Sequence, residues 1–298
     1  MPVMRRLLIG LCALLLTPTS AFAQGDLEQK IDEGQAVVAG RTVLSEGHVD
    51  IGPRFVDGRW TLLVHDDQAK ADPDGESVWR PTDHTVLQVR DQAILQIPDD
   101  PNYAFLRGTP GDDVFVVPQT QDPEVVWVGW NTQDPEVMET IDRGVTMTMT
   151  GVEGPGSLVV YLQSGDFAEP DVLWDSEGKP EPVWVDVNTH THANWVFSKP
   201  GVYLVQVKIE AELVDGKTVS DTQVLRFAVG SKTSTDEAFT AAFRETPRAA
   251  ASTPAAATAE SSGGVPHGVL LGIGAVLLAV GFAFVLARGR GAKRRART

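Results

Sequence analysis

The stretch that decides the fold runs from Gly201 to Val229 and reads G-V-Y-L-V-Q-V-K-I-E-A-E-L-V-D-G-K-T-V-S-D-T-Q-V-L-R-F-A-V. Apolar and polar residues alternate on both sides of its centre, which is the pattern of strands that bury one face. The central V-D-G-K at 214–217 is a hairpin signal, because aspartate and glycine suit a tight turn between antiparallel strands. The stretch therefore predicts two long paired strands.

Strand-length runs of the same kind recur upstream, separated by turn signals such as V-D-G-R at 56–59. In V-T-M-T-M-T at 145–150 the methionines face one side and the threonines the other. The other runs are W-T-L-L-V-H at 60–65, T-V-L-Q-V-R at 85–90, A-I-L-Q-I at 93–97, D-V-F-V-V at 113–117, V-V-W-V-G-W at 125–130, S-L-V-V-Y-L at 157–162 and V-W-V-D-V at 183–187. Almost no segment keeps a helical period, so the sequence predicts an all-β protein.

The end of this region resembles the end of an immunoglobulin-like β-sandwich. Phe197, a K-P-G turn at 199–201 and Tyr203 at the start of a long strand are typical of a tyrosine buried at a corner of such domains. No cysteine pair links the sheets, which leaves the cysteine-free relatives. We predict one or two such units, a first β-rich unit at 37–140 and a second, immunoglobulin-like unit at 141–230.

Two apolar segments at the ends of the chain predict its location. Residues 1–23 combine two arginines, a short apolar run and an A-x-A exit, which is typical of a cleaved secretory signal peptide, and an N-terminal lead follows at 24–36. Residues 269–287 carry no charge and are long enough, as a transmembrane helix, to cross a bilayer. The basic tail at 288–298 belongs on the cytoplasmic side. The protein is therefore expected in the cell membrane as a single-pass type I protein, with its ectodomain on the extracellular side.

The composition between these segments has two parts. Residues 231–268 are rich in Ala, Ser, Thr and Pro, which predicts a flexible, disordered stalk. The region between the apolar segments carries all 40 acidic residues and about 17 of the 25 basic ones, a net charge of about −23. Such a surface repels nucleic acid and attracts cations. The one cysteine, Cys12, lies in the signal peptide, so burial or bound ions must stabilise the mature chain.

His190 and His192 form an H-x-H pair that could hold a metal ion. On a strand both imidazoles point to one face, and such pairs bind Zn²⁺ at about 2.0–2.1 Å, with two further ligands needed. The candidates for these ligands are His48 with Asp50, again two residues apart, then His84 and His65. If the site exists, we expect His48 to approach both histidines closely enough to share one ion, Zn or Mn. The alternative is an exposed polar strand edge without a ligand.

Two other groups of residues could form binding sites. Asp72, Asp74 and Glu76 surround a glycine like the start of a calcium loop, but the twelve-residue frame is missing, and a solvated acidic turn is the alternative. Trp130 or Trp195 could line a glycan or peptide site, with internal packing as the alternative. The chain has no G-x-S-x-G, H-E-x-x-H, G-x-G-x-x-G or P-loop sequence, so we expect a non-enzymatic protein.

Five strings point to a family. They are G-H-V-D-I-G at 47–52, W-R-P-T at 79–82, V-P-Q-T-Q-D-P at 117–123, W-V-G-W-N-T at 127–132 and T-H-T-H-A-N-W-V-F-S-K-P-G-V-Y at 189–203. Together they resemble the actinobacterial surface-anchored proteins known as choice-of-anchor M domain proteins, over about Leu44 to Val229. The resemblance implies an exported, anchored protein that is often encoded beside an ABC transporter of the kind that carries metal ions.

Two functions are compatible with these features. The first is a surface module that binds a divalent metal or a metal complex in association with an ABC importer, through its solute-binding protein or its permease. The second is a structural or adhesive protein that contacts cell-wall polymer or a partner protein without metal chemistry. Nucleic acid is not expected as a partner of either.

Overall fold

The computed structural model describes residues 31–67, 76–165 and 169–244, and in these ranges the protein is all-β, as predicted. The strands are β1 (Thr42–Leu44), β2 (His48–Val56), β3 (Arg59–Asp66), β4 (Val78–Arg80), β5 (Thr85–Val89), β6 (Ile94–Gln96), β7 (Asp113–Val117), β8 (Trp127–Asn131), β9 (Ile141–Glu153), β10 (Leu158–Leu162), β11 (Asp171–Asp175), β12 (Pro182–Asp186), β13 (His190–His192), β14 (Asn194–Phe197), β15 (Gly201–Leu213) and β16 (Thr218–Val229). Two short helices, α1 (Pro135–Thr140) and α2 (Thr235–Thr240), and 3-10 turns at Thr82–His84, Asp91–Ala93 and Pro101–Leu106 complete the described elements.

These strands form three sheets. Sheet I has the order β1-β5-β16-β15-β9-β12, sheet II the order β11-β10-β14-β7-β6, and sheet III the order β13-β8-β2-β3-β4. Most neighbours are antiparallel, but β5 runs parallel to β1 and β16, and β2 runs parallel to β8. Every sheet combines strands from before and after residue 140. Strand pairing therefore does not separate the predicted units 37–140 and 141–230 from each other.

The hairpin of β15 and β16 forms as the alternation predicts. The two strands pair from Gly201 opposite Val229 to Glu212 opposite Thr218. The turn between them needs Gly216, whose φ of 82° lies in the left-handed region that glycine adopts at little cost. The inward-facing residues of β15 are fully buried: Tyr203, Val205, Val207 and Ile209.

Tyr203 lies at a corner, as the sequence indicates. Its ring is fully buried, and its hydroxyl donates a hydrogen bond of 2.8 Å to the backbone oxygen of Lys199. The ring lies against Gly154, where an added Cβ would come within 2.3 Å of it. The hydroxyl thus ties the start of β15 to the preceding K-P-G turn.

The interior is shared by all three sheets and contains most of the tryptophans. Trp130 of sheet III lies 6.3 Å from Trp174 of sheet II, which in turn lies 5.8 Å from Trp195, measured between ring centroids. Trp130 is 5% exposed and Trp195 is fully buried. The prediction of a glycan or peptide site lined by Trp130 or Trp195 is therefore wrong, since both side chains are buried. The alternative, internal packing, is confirmed, as expected for a large aromatic surface that is more stable away from water.

The packed chain extends past the predicted start of the stalk at residue 231. Ser234 caps α2 by accepting a hydrogen bond from the Glu237 backbone, and Ala238 is fully buried beside β5 and β16. The Arg226 guanidinium donates to the backbone oxygens of Ala238 and Ala241 at 2.8 and 2.7 Å. The hydrogen bonds at both ends of α2 and the burial of Ala238 hold this segment against sheet I.

Several sequence predictions lie outside the described residues. They are the signal peptide at 1–23, the first part of the lead at 24–36, the rest of the stalk, the membrane segment at 269–287 and the basic tail at 288–298. Within the described ranges, no helix is both long and apolar enough to span a bilayer. Of the calcium candidates, Asp72 and Asp74 also lie outside these ranges, and Glu76 is exposed.

Candidate metal centre

Sheet III carries the candidate ligands on one face. Its strand β8 lies between β2 and β13, and the two registers place both Asp50 and His192 opposite Gly129. Since side chains two residues apart on a strand share a face, His48 joins Asp50 and His190 joins His192 on that side. The H-x-H pair and the H-x-D pair thus face each other across a central glycine.

The three imidazoles meet above that glycine. The Nε2 atom of His48 lies 3.0 Å from Nε2 of His190 and 2.9 Å from Nε2 of His192, and the last two atoms lie 3.1 Å apart. The carboxylate oxygens of Asp50 approach these nitrogens to between 3.3 and 3.7 Å. One donor atom from each of the four residues can be chosen so that all lie within 4.8 Å of one another.

This spacing suits a small tetrahedral cation. Four ligands at about 2.0–2.1 Å from zinc stand about 3.3–3.4 Å from one another, and the measured separations lie on both sides of that value. Manganese, calcium and magnesium prefer six or more ligands, mostly oxygen. Three imidazoles with one carboxylate therefore fit Zn²⁺ better than Mn²⁺.

Gly129 makes the space in which these side chains meet. Neighbouring strands are about 4.8 Å apart, so the backbones of β2 and β13 are separated by about 9.6 Å, with β8 between them. A Cβ on Gly129 would lie 2.5 Å from Oδ1 of Asp50, 2.6 Å from the backbone oxygen of Thr191 and 2.8 Å from Cε1 of His192. Any larger residue at this position would push the ligands apart.

The cluster is nearly closed to solvent. The side chains of His190 and His192 are 2% exposed, that of Asp50 is fully buried, and that of His48 is 16% exposed. The indole of Trp127 stacks on the His192 ring with centroids 3.6 Å apart and planes 9° apart, and lies 5.0 Å from the His48 ring. Trp127 therefore covers the cluster.

The protonation states of Asp50 and His192 are those that metal ligands need. Burial raises the pKa of Asp50, but the hydrogen bond from His190 and the positive charges of the three histidines outweigh it and hold the pKa at about 2. Burial lowers the pKa of His192 to about 3, against the opposing attraction of Asp50. Near neutral pH the carboxylate is ionised and His192 is neutral, and both forms have lone pairs for a cation.

A second layer of side chains orients the ligands. Nδ1 of His48 donates to Oδ2 of Asp67 at 2.7 Å, since a carboxylate can only accept, and this contact orients the ring so that Nε2 points at the cluster. The Ser77 hydroxyl donates to Oδ1 of Asp67. Asn131 donates to Oδ2 of Asp50 at 2.9 Å. Burial raises the pKa of Asp67, but hydrogen bonds from His48 and Ser77 and the charge of His65 lower it well below its usual range.

The hydrogen bonding of the other Asp50 oxygen, Oδ1, shows whether the cluster suits a cation. Within the described residues, its buried Oδ1 accepts no hydrogen bond, and it lies 3.6 Å from Nε2 of His48 and 3.7 Å from Nε2 of His192. A buried carboxylate oxygen without a donor is costly. A cation between these atoms would remove that cost.

Two of the sequence candidates do not join the cluster. The sequence predicts His84 as a ligand, but His84 lies in the 3-10 turn that leads into sheet I, and its Nδ1 accepts a hydrogen bond from the Gly40 backbone at 3.3 Å. His65 is fully buried one strand farther from the ligands, with its ring 4.7 Å from Trp79 and its Nε2 2.9 Å from Oε1 of Gln35. Neither is among the donors that converge.

Sequence reasoning missed the residues around the ligands. Trp127, Gly129 and Asn131 alternate along β8 and share the ligand face, and a glycine inside a strand is a signal of close approach. Asp67 follows the end of β3, and only the pairing of β2 with β3 brings it beside His48.

No family model, curated protein or solved structure matches the chain.

Proposed function

We propose that this chain is a non-enzymatic cell-surface protein that binds one zinc ion through His48, Asp50, His190 and His192. The observation that carries this proposal is the convergence of three imidazole Nε2 atoms, all within 3.1 Å of one another, beside a buried carboxylate. Nδ1 of His48 is bonded to Asp67, and Oδ1 of Asp50 accepts no hydrogen bond within the described residues. One divalent cation would satisfy all four groups.

The ligand count favours binding over catalysis. Catalytic zinc sites keep one position open for water or substrate, whereas structural sites use four protein ligands. Here three histidines and one aspartate can complete a tetrahedron, and Trp127 covers them.

The location rests on the sequence and on the resemblance to choice-of-anchor M domain proteins. The predicted signal peptide, stalk and membrane helix support an anchored ectodomain, and the buried corner of Tyr203 supports an immunoglobulin-like arrangement within the all-β fold. The implied neighbourhood of a metal-carrying ABC importer supports a solute-binding protein or permease as partner.

An adhesive role has one specific observation in its favour. Trp184 on the edge strand β12 is 52% exposed, and its Nε1 is held by Oδ1 of Asp186 at 2.8 Å. A fixed, exposed indole is a surface on which a wall glycan could stack. This role needs no metal, so a metal titration distinguishes the two functions.

Zinc binding can be measured directly on the predicted ectodomain and stalk. Residues 24–268 should bind one equivalent of zinc in a competition titration against a chromophoric chelator, and bind manganese much more weakly. The double variant His190→Ala, His192→Ala should lose zinc binding because two of four ligands are gone. His84→Ala is the matched control and should bind like the wild type. Equal, weak binding by all three proteins would favour the adhesive role.

A further inference from the structure

We infer that the zinc ion is a resident clamp, which fastens β13 to β2 across β8, rather than a cargo that is loaded and released. This inference rests on the proposed function, because it requires that the ion binds at these four residues. It adds the role of the ion, which is to hold the edge strand β13 in place in sheet III.

The position of β13 in the fold is the first argument. Consecutive strands β12, β13 and β14 belong to sheets I, III and II, so the chain passes through all three sheets within residues 182–197. The middle strand is only three residues long and lies at the edge of sheet III. So short a ladder holds an edge strand weakly, and an ion bound to His190 and His192 would fix it.

The separation of the ligands along the chain is the second argument. His48 and His190 are 142 positions apart, and an ion that joins them closes a loop of that length. A cross-link of this kind stabilises a protein by restricting its unfolded chain, and bound zinc acts as folding free energy when the unfolded chain has no such site. The predicted mature chain has no cysteine and cannot form a disulfide, but a bound ion can cross-link it.

The enclosure of the cluster is the third argument. A cargo site must exchange its ion with solvent or with a partner, which requires an accessible coordination position. Here the side chains of His190 and His192 are 2% exposed, and the Trp127 ring lies flat on His192. Release therefore requires that β13 or Trp127 move away first, so release should be limited by local opening.

The test measures release of zinc from the full chain, loaded and solubilised in detergent. After addition of excess chromophoric chelator, the wild type should lose zinc slowly, at a rate independent of chelator concentration. Trp127→Ala should release it about tenfold faster, since the cover is gone. Amide hydrogen exchange of the wild type, with and without zinc, is a second readout that needs no variant, and zinc should protect residues 188–193.

The outcomes separate this inference from the proposed function. Stoichiometric binding with slow release and zinc-dependent protection of residues 188–193 supports the clamp. Stoichiometric binding with release complete on mixing, and no change in protection at 188–193, overturns the clamp and leaves zinc binding in place. No stoichiometric binding by the wild type overturns both.

Discussion

At the scale of single residues, Asp67 orients His48 in the candidate metal centre. Its Oδ2 accepts the Nδ1 proton of His48, and Ser77 holds its other oxygen. Asp67→Asn keeps the shape of the side chain but removes the charge that fixes the imidazole tautomer. We expect zinc affinity to fall about 10- to 100-fold in a competition titration, the usual effect of losing such a partner. Cobalt should still give tetrahedral absorption bands in the variant, because the four ligands remain.

The matched control for this prediction is Asp215→Asn. Asp215 is an exposed turn residue paired with Lys217, so its loss should leave zinc affinity unchanged. A similar loss of affinity in both variants would mean that the effect comes from net charge and not from the orientation of His48.

Residue spacing predicts part of this cluster and no more. The H-x-H and H-x-D pairs each define a face of a strand, which is why His48, Asp50, His190 and His192 could be grouped from sequence. The selection of these four over His84 depends on which strands are neighbours. That information lies in pairings such as β2 with β8, which spacing within one strand does not contain.

At the scale of elements, β8 lies between β2 and β13, and the candidate ligands on those two strands meet over Gly129 of β8. Gly129→Ala puts a methyl group within 2.5–2.8 Å of Asp50, Thr191 and His192. We expect the free energy of unfolding, measured by chemical denaturation in the presence of EDTA, to fall by about 1–3 kcal/mol from overpacking. Zinc binding should weaken as well, since the ligands are pushed apart.

Gly165→Ala is the control for that substitution, because an added Cβ there meets no atom of the described residues within 4 Å. It should change neither stability nor zinc affinity measurably. A Gly129→Ala protein that binds zinc like the wild type would show that the ligands do not meet above this glycine.

Alternating patterns predict most of the described strands, but no predicted run covers β1, β2, β4, β11 or β14. Every predicted run contains a strand, because a buried face requires regular alternation. In β2, Gly52 and Pro53 interrupt the pattern, and both residues have low strand propensity. Gly52 is needed there, since its Cβ would come within 2.6 Å of the Asn131 backbone oxygen. Close packing against β8 thus hides this strand from a propensity argument.

At the scale of the whole molecule, the arrangement of sheets follows from long-range pairing. Alternation indicates which side of a strand is buried, but it does not identify the neighbouring strand. In sheet I, β5 lies beside β16, and in sheet II, β7 lies beside β14. The length of the chain and the character of its second half favour a division at residue 140, but neither feature contains information about these pairings.

Each sheet combines strands from both halves of the chain, and this predicts how fragments of the chain behave. A fragment of residues 141–244 lacks β5, β7 and β8, which are the neighbours of β16, β14 and β13. Its unpaired edges and exposed core residues should prevent cooperative unfolding in a chemical denaturation experiment, whereas residues 31–244 should unfold in one cooperative transition. Addition of a 31–140 fragment should restore cooperativity by supplying the missing strands. A cooperative transition of residues 141–244 alone would show instead that the second half folds as an independent unit.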